Sequence, residues 1–260
     1  MHQPLRAGLR AQRALGCARN DFSGHGSEMK NNDKSASNDS SSPSKTVRPR
    51  DAASLILHRS PPSGHEVLMG RRPQSSRFMP GVYVFPGGAA EAQDRHVRPA
   101  TALTPDVTQS LKVGGSAARA RAMAVCAVRE TFEETGLLLG APGDPQMADD
   151  AAWSQWRELG LAPNLGALDL VGRAITPATR PIRFHARFFI ADGEGLSGKI
   201  GGDGELEDIS WVRLSDATEL PLADAQIFFL NQLYKMLNGE AIEKRPLFSQ
   251  RGGVRSIRFE

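Results

Sequence analysis

Arg129-Glu130-Thr131-Phe132-Glu133-Glu134-Thr135-Gly136-Leu137 decides how this 260-residue chain is read. Its three glutamates fall at i, i+3 and i+4, so on a helix they share one face. Like charges at that spacing repel by about 0.2–0.5 kcal/mol per exposed pair. They also stand near the helix's C-terminal end, where the macrodipole disfavours anions. A solvated acidic face is the plain reading. The other is a bound divalent cation, since clustered hard oxygens suit Mg²⁺ or Mn²⁺ and the ion would relieve both penalties. Spacing alone leaves the two readings open.

Working outward, Ala117 to Glu134 is rich in Ala, Arg, Met and Glu, all good helix formers, with Ser116 placed to cap it and Gly136 to end it. Ala120, Met123, Ala124, Ala127 and Val128 recur at helical spacing and should face a core. Upstream, Ala53–His58 and His65–Gly70 read as strands joined by the turn Pro61-Pro62-Ser63-Gly64, a hairpin. Val82–Phe85 reads as a third strand running into Pro86-Gly87-Gly88, where glycine permits close backbone approach. Downstream, Leu168–Ile175, Ile182–Ile190 and Leu206–Val212 read as strands, and 149–160 and Ala223–Leu237 as amphipathic helices. Along Ile182–Ile190 the polar face carries Arg183, His185 and Arg187, either a solvated face or the lining of an anionic pocket. Trp153 and Trp156 are core residues or a substrate platform. Strands on both sides of a central helix, with two further helices, make an α/β fold.

Composition narrows the classes. The chain is 40% hydrophobic and 23% charged, which suits one globular domain with extensions. It contains no apolar run of 18 residues, so no membrane span is expected. Its two cysteines do not make a disulfide framework, and Cys126 reads as a small core residue. Net charge is +3, yet residues 1–50 hold nine Lys/Arg against four Asp/Glu, which leaves the remainder net negative. The basic character belongs to the tail, so nucleic acid is not an expected partner. Six serines between Ser35 and Ser44 read as disorder. Arg6, Arg10, Arg13 and Arg19 faintly suggest an organellar transit peptide, against the plainer readings of an unstructured tail or a true start at Met29. The expected compartment is the cytoplasm.

The stretch around Arg129 resembles the box of the Nudix hydrolase family, G-x5-E-x7-R-E-U-x-E-E-x-G-U, where U is a bulky aliphatic residue. Arg129, Glu130, Glu133, Glu134, Gly136 and Leu137 match, and Thr131 departs at a U position. Gly88 fits the first glycine, and Asp94 stands where the pattern has Glu. Between Asp94 and Arg129 lie 34 residues where the pattern has 7. The excess, residues 92–115, is expected to form a lid or flap near the site. The resemblance implies the Nudix fold, an α/β/α sandwich with a mixed sheet. The expected limits are a disordered tail at 1–49, the hydrolase domain at 50–240 and a basic C-terminal extension at 241–260, with one strand near Val254–Phe259.

It also implies Mg²⁺ (or Mn²⁺) held by Glu130, Glu133, Glu134 and the Gly88 carbonyl, with Arg129 orienting the carboxylates. Glu130 is a possible base. The further base that many members place in a distal loop matches Glu205, with Glu207 and Asp208 as rivals. Leu68, Arg72, Arg77, Gly81 and Phe85 to Gly88 keep the places of a signature of coenzyme A diphosphatases in this family, so Arg72, Arg77 and Phe85 are the candidate substrate contacts. The implied activity is diphosphate cleavage in a nucleoside diphosphate linked to another moiety, coenzyme A or an acyl-coenzyme A first. The alternatives are housecleaning of nucleotide sugars, dinucleotides or oxidised nucleotides, and a non-catalytic nucleotide-binding regulator. The partner is a small nucleotide-diphosphate substrate, and a homodimer is compatible with the reading.

Overall fold

A computed structural model describes residues 47–147, 150–240 and 244–260. The serine-rich segment, the arginines of the first twenty residues and Met29 lie outside them. The strands are β1 Arg50–Arg59, β2 Glu66–Arg71, β3 Tyr83–Val84, β4 Gly87–Ala89, β5 Leu137–Leu138, β6 Gly140–Pro142, β7 Leu161–Pro163, β8 Asp169–Ile175, β9 Phe184–Asp192, β10 Ser197–Gly198, β11 Glu207–Arg213, β12 Pro246–Arg251 and β13 Val254–Phe259. The helices are α1 Pro105–Ser110, α2 Ala117–Thr135, α3 Ala151–Glu158, α4 Leu214–Ala217 and α5 Asp224–Leu237. Nine of these strands form one sheet ordered β11-β2-β1-β9-β8-β12-β13, with β3 on β2 and β4 on β1. It is mixed: β1 runs parallel to β9 and β12 parallel to β8, and the other pairs are antiparallel.

The near-continuous apolar run of β1 marks a strand buried on both faces. Leu55 and Leu57 pack with α2, while Ile56 packs in the second cluster with α5. β9 repeats the division, Phe189 and Ala191 on the α2 side and Phe188 and Ile190 on the α5 side. The sheet is therefore sandwiched between helices. Among the described residues no helix is long and apolar enough to cross a membrane.

Two sequence expectations need correction. Residues 92–115 are no flap. Val97, Val107, Leu111 and Val113 are buried in the α2 core cluster. The Ala100 N–H donates to the Pro163 carbonyl, and the Thr101 hydroxyl donates to Asn164 Oδ1 at 2.6 Å. The segment covers the outer side of α2 and explains why α2 is buried almost all round. The C-terminal residues are no appendage either: β12 extends the sheet along β8, with Leu247 and Phe248 buried. Of the two readings of Trp153 and Trp156 the core one holds: both are 0% exposed, their ring centroids 5.4 Å apart.

The polar side of β9 is largely occupied from within. Arg187 is buried and donates to Asp51 Oδ1 at 2.6 Å, and Asp51 also accepts from Arg119. Arg173 pairs with Glu260 and donates to His185 Nε2 at 3.4 Å. Among the described residues Arg187 is thus a buried, internally paired cation, which fits neither a solvated face nor the lining of an anionic pocket. Arg183 itself donates to the carbonyls of Thr176 and Val47.

Candidate active site

The site is built where the last turn of α2 meets the glycine turn. Ser116 caps the helix start, its hydroxyl accepting the Arg119 N–H at 3.2 Å. Gly136 ends it at φ 73°, the left-handed conformation glycine adopts without penalty. Thr131, the residue that departs from the bulky aliphatic pattern, is buried. Its hydroxyl donates to the Ala127 carbonyl at 2.7 Å, so a polar side chain sits in the core satisfied.

β4 pairs with β1 and lays Gly87 and Gly88 over the carboxylates. The Gly87 N–H donates to Glu134 Oε2 at 2.7 Å. A Cβ on Gly88 would stand 2.4–2.5 Å from the Glu130 carboxylate, so only glycine lets the turn approach this closely. The Gly88 carbonyl points at the same helix and accepts from the Cys126 thiol at 3.6 Å.

Arg129 is the hub. It is 4% exposed and donates through Nε to Asp94 Oδ1 at 2.9 Å and through Nη2 to Asp94 Oδ2 at 3.3 Å. Its Nη1 reaches Glu133 Oε2 at 2.8 Å and Glu130 Oε1 at 3.0 Å. Asp94 is wholly buried and also accepts the Glu91 N–H at 2.7 Å. The long insertion thus leaves Asp94 against Arg129, where it anchors the guanidinium instead of joining the carboxylate face.

Burial pushes the Glu130 carboxyl up to about 7, the Arg129 charge opposing and the Glu133 charge adding. Burial likewise raises Glu134 to about 8, against the hydrogen bond from Gly87, with Glu130 and Glu205 adding. Glu133 is raised by burial, against Arg129. Burial alone would lower Arg129, but the bonds to Asp94 and the nearby carboxylates outweigh it and leave it raised. Three crowded carboxylates with one guanidinium among them carry excess negative charge, and hard oxygen donors of this kind fit Mg²⁺ or Mn²⁺. Among the described residues no three His, Cys, Asp or Glu side chains stand as a ready-made metal group. Glu133 is turned onto Arg129, and the donor set requires it to turn back.

A loop from β10 to β11 closes over the end of α2. The Gly201 N–H donates to the Thr135 carbonyl at 2.9 Å and the Asp203 N–H to the Glu133 carbonyl at 3.0 Å, satisfying two terminal carbonyls. Read from sequence, Gly201-Gly202-Asp203-Gly204 is a turn and nothing more. Its role as a helix cap depends on a long-range meeting. The cap carries Glu205, exposed, to within electrostatic reach of Glu130 and Glu134. The rivals Glu207 and Asp208 are both paired with Arg71.

The substrate candidates separate. Arg72 is half-buried, its Nε donating to the Phe78 carbonyl at 2.8 Å, and its charge reaches Glu134. Arg77 is exposed and makes no ion pair among the described residues. Phe85 is 2% exposed and packs edge-on against Phe188 at 6.3 Å, so its ring anchors the glycine turn in the core and offers no face to a ligand.

No family model matches the chain. It is 32% identical to the solved NUDIX hydrolase from Alicyclobacillus acidocaldarius, covering 71% of this chain and 90% of that one, with a TM-score of 0.54. It is 30% identical over 199 residues to acyl-coenzyme A diphosphatase NUDT19 of Gallus gallus, covering 54% of this chain and 53% of that protein. To the Xenopus laevis protein of the same name it is 27% identical over 208 residues, covering 60% of this chain and 55% of the relative. The chain spans about half the length of the curated relatives it matches.

Proposed function

The chain belongs to the Nudix hydrolase family, and from that premise we propose that it hydrolyses the diphosphate of a nucleoside diphosphate linked to a second moiety, coenzyme A or an acyl-coenzyme A. The names of the curated relatives support that substrate class, as does the arrangement of arginines and glycines over residues 68–88. The observation that carries the reading is the glycine turn seated on α2, with the Gly87 N–H on Glu134, Gly88 against Glu130, and Arg129, anchored by Asp94, beside Glu130 and Glu133. A domain that only bound nucleotide would not need that carboxylate set.

Glu130, Glu133, Glu134 and the Gly88 carbonyl would hold Mg²⁺ or Mn²⁺. When bound, the ion neutralises diphosphate charge and lowers the pKa of an attacking water. Arg129 keeps Glu130 and Glu133 on one side of the helix by charge-assisted bonds. The Gly87 N–H keeps one oxygen of Glu134 fixed and leaves the other free. Glu205 takes the proton of the attacking water as general base. Arg72 and Arg77 bind phosphate oxygens, for which a guanidinium's planar fork is suited.

The test is a purified-protein screen with Mg²⁺ against coenzyme A, acetyl-coenzyme A, ADP-ribose, NADH, diadenosine polyphosphates and 8-oxo-dGTP, with Glu133→Gln as control. Coenzyme A or its acyl ester should turn over fastest, and E133Q should abolish turnover. Hydrolysis of none would overturn the enzymatic reading, and turnover indifferent to E133Q would overturn the carboxylate assignment.

A further inference from the structure

Glu205 is tied down on both sides, and the tie on its C-terminal side runs through a residue no motif singles out. Arg71, the last residue of β2, faces Glu207 in the β2–β11 register. Its Nη2 lies 3.0 Å from Glu207 Oε2, and its Nε donates to Asp208 Oδ2 at 2.8 Å. The ladder slips between Glu207 and Ser210, and Asp208 sits at φ 51°, a left-handed conformation rare outside glycine. Bulges of this kind re-aim the neighbouring side chains. Leu206 is buried, seated on Gly70, where an added Cβ would come within 2.8 Å of its Cδ1. On the other side, the Glu205 N–H donates to Asp203 Oδ1 at 2.9 Å, and the Asp203 N–H is bound to α2.

We propose that Arg71 is a positioning residue. By pairing with both Glu207 and Asp208 it clamps the bulge, holds the free carboxylate of Glu205 over the carboxylate face of α2, and keeps the two rival acids out of the site. Gly70 serves the same end by leaving room for Leu206. Without the guanidinium, two adjacent carboxylates repel, the left-handed Asp208 loses its partner, and Glu205 is released from its fixed distance to the helix. The proposal rests on the reading of Glu205 as general base.

The experiment is a double-mutant cycle of Arg71→Ala and Glu205→Gln on the full chain, using the substrate that turns over fastest. R71A should lower kcat on the order of tenfold, in keeping with the sensitivity of catalysis to small misplacements, and change KM less than about twofold. In the E205Q background R71A should add no further loss, because the group it positions is already gone. R71K should recover part of kcat by restoring one of the two pairs, and E207Q/D208N should reproduce the R71A loss from the partner side. Without substrate, amide hydrogen exchange over residues 203–208 should quicken in R71A. A rise in KM at constant kcat would make Arg71 a substrate contact and overturn the proposal, as would losses that multiply across the cycle. E205Q at full activity would overturn the base reading and the proposal together, whereas an impaired E205Q beside an unaffected R71A would overturn the proposal alone. If no substrate turns over, the function reading falls, and unchanged exchange in R71A would show separately that there is no clamp.

Discussion

Replacing Asp94 by alanine removes the only fully buried anion against Arg129 among the described residues. The guanidinium stays 4% exposed, its Nε loses its acceptor at 2.9 Å, and Nη2 is left with only the Ala89 carbonyl at 3.4 Å. The Glu91 N–H loses its acceptor too. Removing one partner from a buried ion pair costs about 3–5 kcal/mol, and because Glu130 and Glu133 stay on Nη1 the loss should fall toward the lower end of that range. In a domain of this size each kcal/mol moves the melting temperature by about 2–4 °C, so D94A should melt roughly 6–20 °C lower. Thermal and urea unfolding followed by circular dichroism would measure it at neutral pH. The double variant D94A/R129M should regain part of the loss, since the buried guanidinium is gone and Glu130 and Glu133, already raised by burial, can take up protons once it is removed. A D94A loss below about 1 kcal/mol, the range of an exposed pair, would refute the buried clamp. So would a double variant less stable than D94A by the full cost of the second change.

Gly88→Ala should lower turnover by at least about tenfold while moving the melting temperature little, because its Cβ would collide with the Glu130 carboxylate. Steady-state kinetics beside a melting curve would separate the two effects. His185 is held neutral by burial, with the charges of Arg187 and Arg173 adding, so its pKa falls to about 4. Between the usual value near 6.5 and about 4 the unfolded chain binds the extra proton and the folded chain does not, so stability must fall as pH drops through that window. The loss reaches at most about 3 kcal/mol; His185→Gln should flatten it in urea titrations at pH 7 and pH 4.5, and an unchanged slope would contradict it. Truncation after Glu240 removes β12, whose Leu247 and Phe248 are worth about 1.5–3 kcal/mol each in burial, and leaves β8 as an open edge. The truncated chain should melt lower and aggregate on heating, and a melting curve matching the full chain would restore the view of this segment as a tail.

Where periodicity and spacing were strong, the fold was legible. The β1–β2 hairpin, α2 with its Ser116 and Gly136 ends, and α5 all stand close to where pattern places them, since local chemistry sets those elements. The strand expected near Val254–Phe259 is β13, whereas the insertion and β12 escape the sequence because neither segment has a pattern of its own. Val97, Val107, Leu111 and Val113 gain their meaning from the outer side of α2, Leu247 from β8, and Phe248 from β8 and the α5 cluster. Phe85 reads as a substrate contact from the motif alone, because a motif gives a residue's place along the chain and says nothing of the side of the sheet it faces. Arg187 and Asp51, far apart in sequence and paired beneath α2, give no local signal at all.

For the site itself, sequence determined the carriers of chemistry: three carboxylates on one helical face, an arginine beside them and a double glycine upstream. Their spacing is a property of the helix, and a helix is a local structure. Tertiary structure decided what each of them faces. It put Gly87 on Glu134 and Gly88 on Glu130, carried Asp94 to Arg129 despite the insertion, and brought a glycine-rich loop over the end of α2 with Glu205 on it. Among three neighbouring acids it paired two with Arg71 and left Glu205 unpaired among the described residues. These meetings are set by strand order and close packing, which act between residues dozens of positions apart and leave no periodic trace along the chain.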